Sequence, residues 1–103
     1  MTLYSENIKM EKPMIEIEYC IKCRWLARAS WISQELLSTF SNEIEGVTLI
    51  PGNVAGIFEI RCDGEIIWER DKKRGMPEIK PLKQKVRDLI APGKDLGHID
   101  SKI

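Results

Sequence analysis

After a polar, aperiodic opening that ends at Pro13, the run Met14-Ile15-Glu16-Ile17-Glu18-Tyr19 alternates. A strand with this pattern puts Ile15, Ile17 and Tyr19 on one face and Met14, Glu16 and Glu18 on the other. From Cys23 to Ser41 the period lengthens. Trp25, Ala29, Ile32, Leu36 and Phe40 recur at steps of three and four, joined by Leu26 and Leu37, which is the spacing of a helix with one broad apolar stripe. Arg24, Arg28, Ser33, Gln34, Glu35 and Ser38 fall mostly opposite, and Trp31 sits off the stripe.

Asn42 and Gly46 tolerate the left-handed backbone that ends a helix, and the short apolar run Val47-Thr48-Leu49-Ile50 then reads as a second strand stopped by Pro51-Gly52-Asn53. Strand, helix and strand at this spacing form a βαβ unit with parallel strands and a right-handed crossover. Two further strand-like runs, Gly56 to Cys62 and Glu65 to Arg70, flank Asp63-Gly64. Both turn residues accept the positive φ of a type I′ hairpin, so these strands are antiparallel. Phe58, Ile60 and Cys62 share one face, and Ile57, Glu59 and Arg61 the other. Beyond a charged loop, Pro81 suits a first helical turn, and Leu82, Val86, Leu89 and Ile90 follow at helical steps until Ala91-Pro92-Gly93. The expected α/β domain spans 13–93, between a flexible leader (1–12) and a flexible tail (94–103).

Composition narrows what such a domain does. The chain has 103 residues, room for one core, and its 16 Lys plus Arg balance 16 Asp plus Glu, so no overall basic field argues for nucleic acid or an anionic membrane. No apolar window approaches a membrane span and the start lacks a signal-like pattern, so the expectation is a cytoplasmic protein. Three cysteines, an odd number, fit a reducing compartment, where C-x-x-C is catalytic or metal-binding more often than a staple.

The candidate chemistry sits at Cys20-Ile21-Lys22-Cys23, where the first strand pattern gives way to the helical one. Two thiols at i and i+3 are within reach of a reversible disulfide, and a helix N-terminus with Lys22 and Arg24 nearby favours the thiolate. Exposure ahead of the helix points to Cys20 as attacker and Cys23 as resolver. A zinc site would need two more donors, and only Cys62, on an apolar face, and His98, in the tail, are on offer, so no metal is expected. Tyr19 either shields the thiols or packs under them, and Trp25 is either core or a platform for substrate. Lys72-Lys73-Arg74 reads as a solvated loop. No cofactor is implied by any glycine-rich loop, nor hydrolysis by any serine or histidine constellation.

In the order β-α-β-β-β-α, with a mixed four-stranded sheet, the chain has the minimal thioredoxin-like arrangement, in which C-x-x-C between the first strand and first helix is the redox position. Glu18-Tyr19-Cys20-Ile21-Lys22-Cys23, Gly56-Ile57-Phe58-Glu59-Ile60, the Asp63-Gly64 hairpin and Gly75-Met76-Pro77, in this order, resemble the selenoprotein W-like (Rdx) family over about residues 13 to 91. The resemblance implies a thiol–disulfide redox protein using Cys20 and Cys23 and acting on protein or glutathione thiols and disulfides, with glutathione or thioredoxin as the linked partner. It places Cys23 where animal relatives carry selenocysteine, which makes Cys23 the special atom. Where a thioredoxin fold usually has a cis-proline facing the thiols, this chain reads Val54-Ala55-Gly56. A second reading is a redox-sensing adaptor that binds a protein partner without turnover. The expected substrate or partner surface comprises Tyr19, Lys22, Trp25, Gly75, Met76 and Pro77.

Overall fold

The structure, a computed structural model, describes residues 12–71 and 75–97. Six elements follow one another: β1 (Met14–Cys20), α1 (Leu26–Thr39), β2 (Gly46–Gly52), β3 (Phe58–Cys62), β4 (Glu65–Glu69) and α2 (Ile79–Ile90). They form one mixed sheet in the order β2-β1-β3-β4, the thioredoxin-like arrangement that the alternation and turn signals imply. β1 runs parallel to β2 and antiparallel to β3, and β3 and β4 form the hairpin. At its turn Asp63 and Gly64 both take positive φ, 50° and 87°, as a type I′ turn requires.

The register pairs Ile15 with Cys62, Ile17 with Ile60 and Tyr19 with Phe58. These side chains therefore share a face. Buried Ala29, Ile32 and Leu36 of α1 and Leu82 and Val86 of α2 join the same cluster, so both helices cover that one face. On the opposite face Arg61 binds three carboxylates, with Nε 2.9 Å from Glu16 Oε1 and Nη1 3.1 Å from Glu18 Oε1 and 2.6 Å from Glu59 Oε2.

Several sequence expectations are corrected. α1 starts at Leu26, not Cys23: Arg24 takes a left-handed φ of 62° and its amide donates to the Ile21 carbonyl, which makes a separate turn before the helix. Leu26 and Leu37 are half-exposed rather than part of the buried stripe. Ser33 takes the buried place instead, its hydroxyl satisfied by donation to the Ser30 carbonyl at 2.7 Å. On α2, Leu89 is exposed and Lys83 is buried, its Nζ 2.8 Å from Glu35 Oε1 of α1. β2 continues through Pro51 to Gly52.

At the start of the segment expected to be a flexible tail, Arg87 Nη1 donates to the Lys94 carbonyl, Lys94 Nζ lies 3.4 Å from Glu43 Oε2, and Leu96 packs on the core. The 1–11 part of the leader, Lys72-Lys73-Arg74 and His98 lie outside the described residues. Among the described residues no helix is long and apolar enough to cross a membrane.

Candidate redox site

Cys20 is the last residue of β1, and the chain must leave the sheet there to reach α1 on the covered face. The turn that does this, Ile21 to Arg24, folds Cys23 back toward Cys20. Their Cα atoms lie 5.4 Å apart, within the usual span of a disulfide, and the two sulfurs are bonded.

The two cysteines differ in exposure, opposite to the expectation that Cys20 is the open thiol. Cys20 is only 2% exposed, held in the ladder opposite Gly52 of β2, while Cys23, on the turn, is partly exposed. The helix contributes less than expected as well. Two residues, Arg24 and Trp25, separate Cys23 from Leu26, with Trp25 as the N-terminal boundary, and a helix terminus acts mainly within its first turn. Positive charge near the pair comes instead from Lys22 and Arg24, both exposed.

The cleft beside the disulfide, about 280 Å³, is lined by Cys20, Ile21, Lys22 and the Gly52–Ala55 loop. That loop arrives there because the parallel register sets Gly52 opposite Cys20. A Cβ on Gly52 would meet Ile57 Cγ2 at 2.8 Å and Glu18 Oε2 at 2.9 Å, so the close approach of loop and strand needs a glycine. Asn53, Val54 and Ala55 are exposed around the mouth, and Ile21 faces them from the other side as a second exposed apolar residue. In the sequence Gly52 and Asn53 read only as a turn, whereas Val54 and Ala55 are marked as standing where a thioredoxin fold usually has its cis-proline.

Trp25 lies two residues beyond Cys23 and packs edge-to-face on Phe58, which meets Trp68 in the same way on its other side, at centroid distances of 6.0 and 6.2 Å. The Arg70 guanidinium stacks over the Trp25 ring, 5.0 Å from its centroid, and Nη1 lies 3.8 Å from where a Gly56 Cβ would stand. Tyr19 is partly buried and packs against the core. Gly75, Met76 and Pro77 lie on the approach to α2 and do not line the cleft; Met76 packs on the core, and Pro77, expected on the partner surface, is buried.

Cys62 is buried, and burial, then the charges of Asp63 and Glu65, push its thiol above the ordinary value. Among the described residues no group of three or more His, Cys, Asp or Glu side chains is arranged to hold a metal ion.

Comparison with known proteins bears on this geometry. The sequence profile of the Rdx family matches residues 14–88, from the first residue of β1 nearly to the end of α2. A crystal structure of a selenoprotein W-related protein from Vibrio cholerae superposes with a TM-score of 0.71 at 58% identity, covering 76% of this chain and 96% of its own. A second, from Bordetella parapertussis, superposes at 0.72 with 48% identity, covering 77% and 99%. Curated proteins show no match.

Proposed function

The chain belongs to the Rdx family, and from that premise we propose that it is a thiol–disulfide redox protein whose Cys20–Cys23 pair exchanges with protein or glutathione disulfides and is reset by glutathione or thioredoxin. The observation that carries this reading is the bonded pair itself, with one sulfur shielded at a strand end and the other on an open turn.

Exchange needs access to one sulfur and protection of the other. In the reduced form the Cys23 thiol loses its proton to solvent, and the thiolate attacks a substrate disulfide R–S–S–R. A Cys23–S–S–R bond forms and one RS⁻ leaves, taking up a proton. Cys20, now a thiolate, attacks the Cys23 sulfur, expels the second RS⁻ and closes the Cys20–Cys23 bond. The protein has lost two electrons and the substrate has gained them. A thiol reductant reverses the sequence by attacking the same exposed sulfur. A reducing cytoplasm would keep the pair cycling.

Mass spectrometry of Cys→Ser variants treated with oxidised glutathione tests the assignment. Cys20→Ser should accumulate a glutathione adduct on Cys23, because the resolving thiol is gone, and Cys23→Ser should accumulate little. Adduct building up on Cys20 instead would reverse the roles. A wild-type pair found as free thiols at every glutathione potential above about −200 mV would end the redox reading. Exposed Ile21 and Val54 at the cleft favour, as the second reading, an adaptor that docks a protein without turnover. Capture of a protein partner that survives loss of both cysteines would select it.

A further inference from the structure

Among the described residues, the cations that are buried or partly buried, Arg70 apart, each have an anionic or carbonyl partner. Arg61 has three carboxylates, Lys83 has Glu35, Lys94 has Glu43, and Arg87 has Asp88 and the Lys94 carbonyl. Arg70 differs. It is partly buried, yet among the described residues the contact its guanidinium makes is the stacking on Trp25, with no carboxylate in reach. A guanidinium carries five N–H donors, and a cation–π contact spends none of them on an oxygen acceptor. Among the described residues those donors have no acceptor, while the contact with Trp25 holds the group in place.

Its position gives those donors a use. Trp25 ties Arg70 to the turn that carries Cys23, two residues away. Gly56, against which Nη1 rests, directly follows Ala55 on the loop that walls the cleft. Arg70 thus spans the two segments that flank the disulfide. Gly56 has a φ of +78°, a backbone conformation that favours glycine, and the guanidinium stands at ordinary contact distance from it. Lys22, which lines the cleft, and Arg24, exposed on the same turn, add positive charge next to the disulfide in the chain.

We propose that Arg70, fixed on Trp25, is a specificity-determining residue that receives a carboxylate of the disulfide substrate through a paired hydrogen bond while Cys23 reacts. The proposal rests on the redox reading above. A planar fork matches a carboxylate with two parallel N–H to O bonds, whereas a lysine at the same place offers only a point charge. The carboxylate belongs either to a small peptide thiol such as glutathione or to an acidic residue beside a protein disulfide.

Rates of reaction of the reduced full-length protein, read by acid quench and mass spectrometry as mixed disulfide plus closed Cys20–Cys23 bond, test it. The disulfides are oxidised glutathione, the uncharged hydroxyethyl disulfide, and two peptide disulfides that differ only by Glu or Gln next to the cysteine. Wild type should favour the carboxylate-bearing member of each pair. Arg70→Gln should lower the ratio of charged to uncharged rates by about 10- to 100-fold, the scale of a charge-assisted hydrogen bond, and Arg70→Lys should restore only part of it. A lowered ratio confined to glutathione identifies the small thiol, and a lowered Glu-to-Gln ratio identifies an acidic protein site; either supports the role. Equal slowing of charged and uncharged disulfides, or no slowing, overturns it while leaving the redox reading intact. A wild-type protein that neither forms adduct nor closes the Cys20–Cys23 bond with any of the four refutes both.

Discussion

Trp25 meets Phe58 edge to face, with ring centroids 6.0 Å apart and planes inclined by 72°. Phe58 is 1% exposed and lies in the central cluster, so the indole nearest the disulfide is anchored to the core rather than free on the turn. Such edge-to-face pairs contribute about 0.5–1.5 kcal/mol beyond area burial.

An indole held this close to a disulfide reports on it, because a disulfide quenches indole emission and a pair of thiols does so less. Reduction with dithiothreitol should therefore raise tryptophan fluorescence. The rise should vanish in Trp25→Phe and persist in Trp31→Phe, since Trp31 stands exposed on α1. A rise of equal size in Trp25→Phe would show that the signal comes from elsewhere.

Gly52 is the position where loop and strand press most closely. An alanine there places its Cβ 2.8 Å from Ile57 Cγ2 and 2.9 Å from Glu18 Oε2, so one of them must move. Overpacking of this kind costs about 1–3 kcal/mol. Gly46→Ala, at the other end of β2, meets the Met14 side chain at 3.7 Å (Sδ) and 3.8 Å (Cε), ordinary contacts, and serves as the control. Urea unfolding should show a lower midpoint for Gly52→Ala and little change for Gly46→Ala. Equal midpoints for the two would contradict the packing described.

Much of the fold is legible because its signals are local. The alternation of Ile15 and Ile17, the helical steps of Ala29, Ile32 and Leu36, and Asp63-Gly64 each depend on neighbours within a few residues. What the sequence leaves hidden depends on distant partners. Gly52 faces Cys20 only through a parallel register set by the whole crossover. Periodicity extends α1 back to Cys23, but the left-handed Arg24 breaks it, and that break comes from the chain's need to turn off the sheet. Leu26 and Leu37 fit the apolar pattern yet fall outside the width of surface the sheet can cover. Arg70 reads as a strand-end charge, and only the fold brings it onto Trp25.

Arg61 ties β1 and β3 together on the face away from the helices. Hydrogen bonds to Glu16, then to Glu59, hold its guanidinium more firmly protonated than an ordinary arginine. Its side chain is 17% exposed, so screening by water is incomplete. Arg61→Met would leave three carboxylates facing one another without a counter-charge, at a cost of about 1–3 kcal/mol near pH 7. That deficit relative to wild type should narrow as salt rises from about 0.05 M to about 1 M, because screening weakens the repulsion among the carboxylates. A deficit that stays constant across this range would assign the loss to packing of the arginine stem instead.

Cys62 makes a prediction at the alkaline end. Its thiol is raised in the folded protein by burial first and by Asp63 and Glu65 next, whereas in the unfolded chain it titrates near 8.5. Its neutral form is therefore favoured by folding. The contribution is fully present below the unfolded-state value, and it is lost as pH rises through the higher folded value, because above about 8.5 the unfolded chain gives up a proton that the native thiol retains. With the Cys20–Cys23 bond closed, wild-type stability should decline between pH 8 and pH 10 more steeply than that of Cys62→Ala. The variant starts lower because of the cavity it leaves but shares every other titrating group. Parallel pH profiles for the two proteins would show that Cys62 ionises alike in both states. Alkylation gives the independent check: in the native oxidised protein Cys62 should resist iodoacetamide at pH 8 and react only after denaturation.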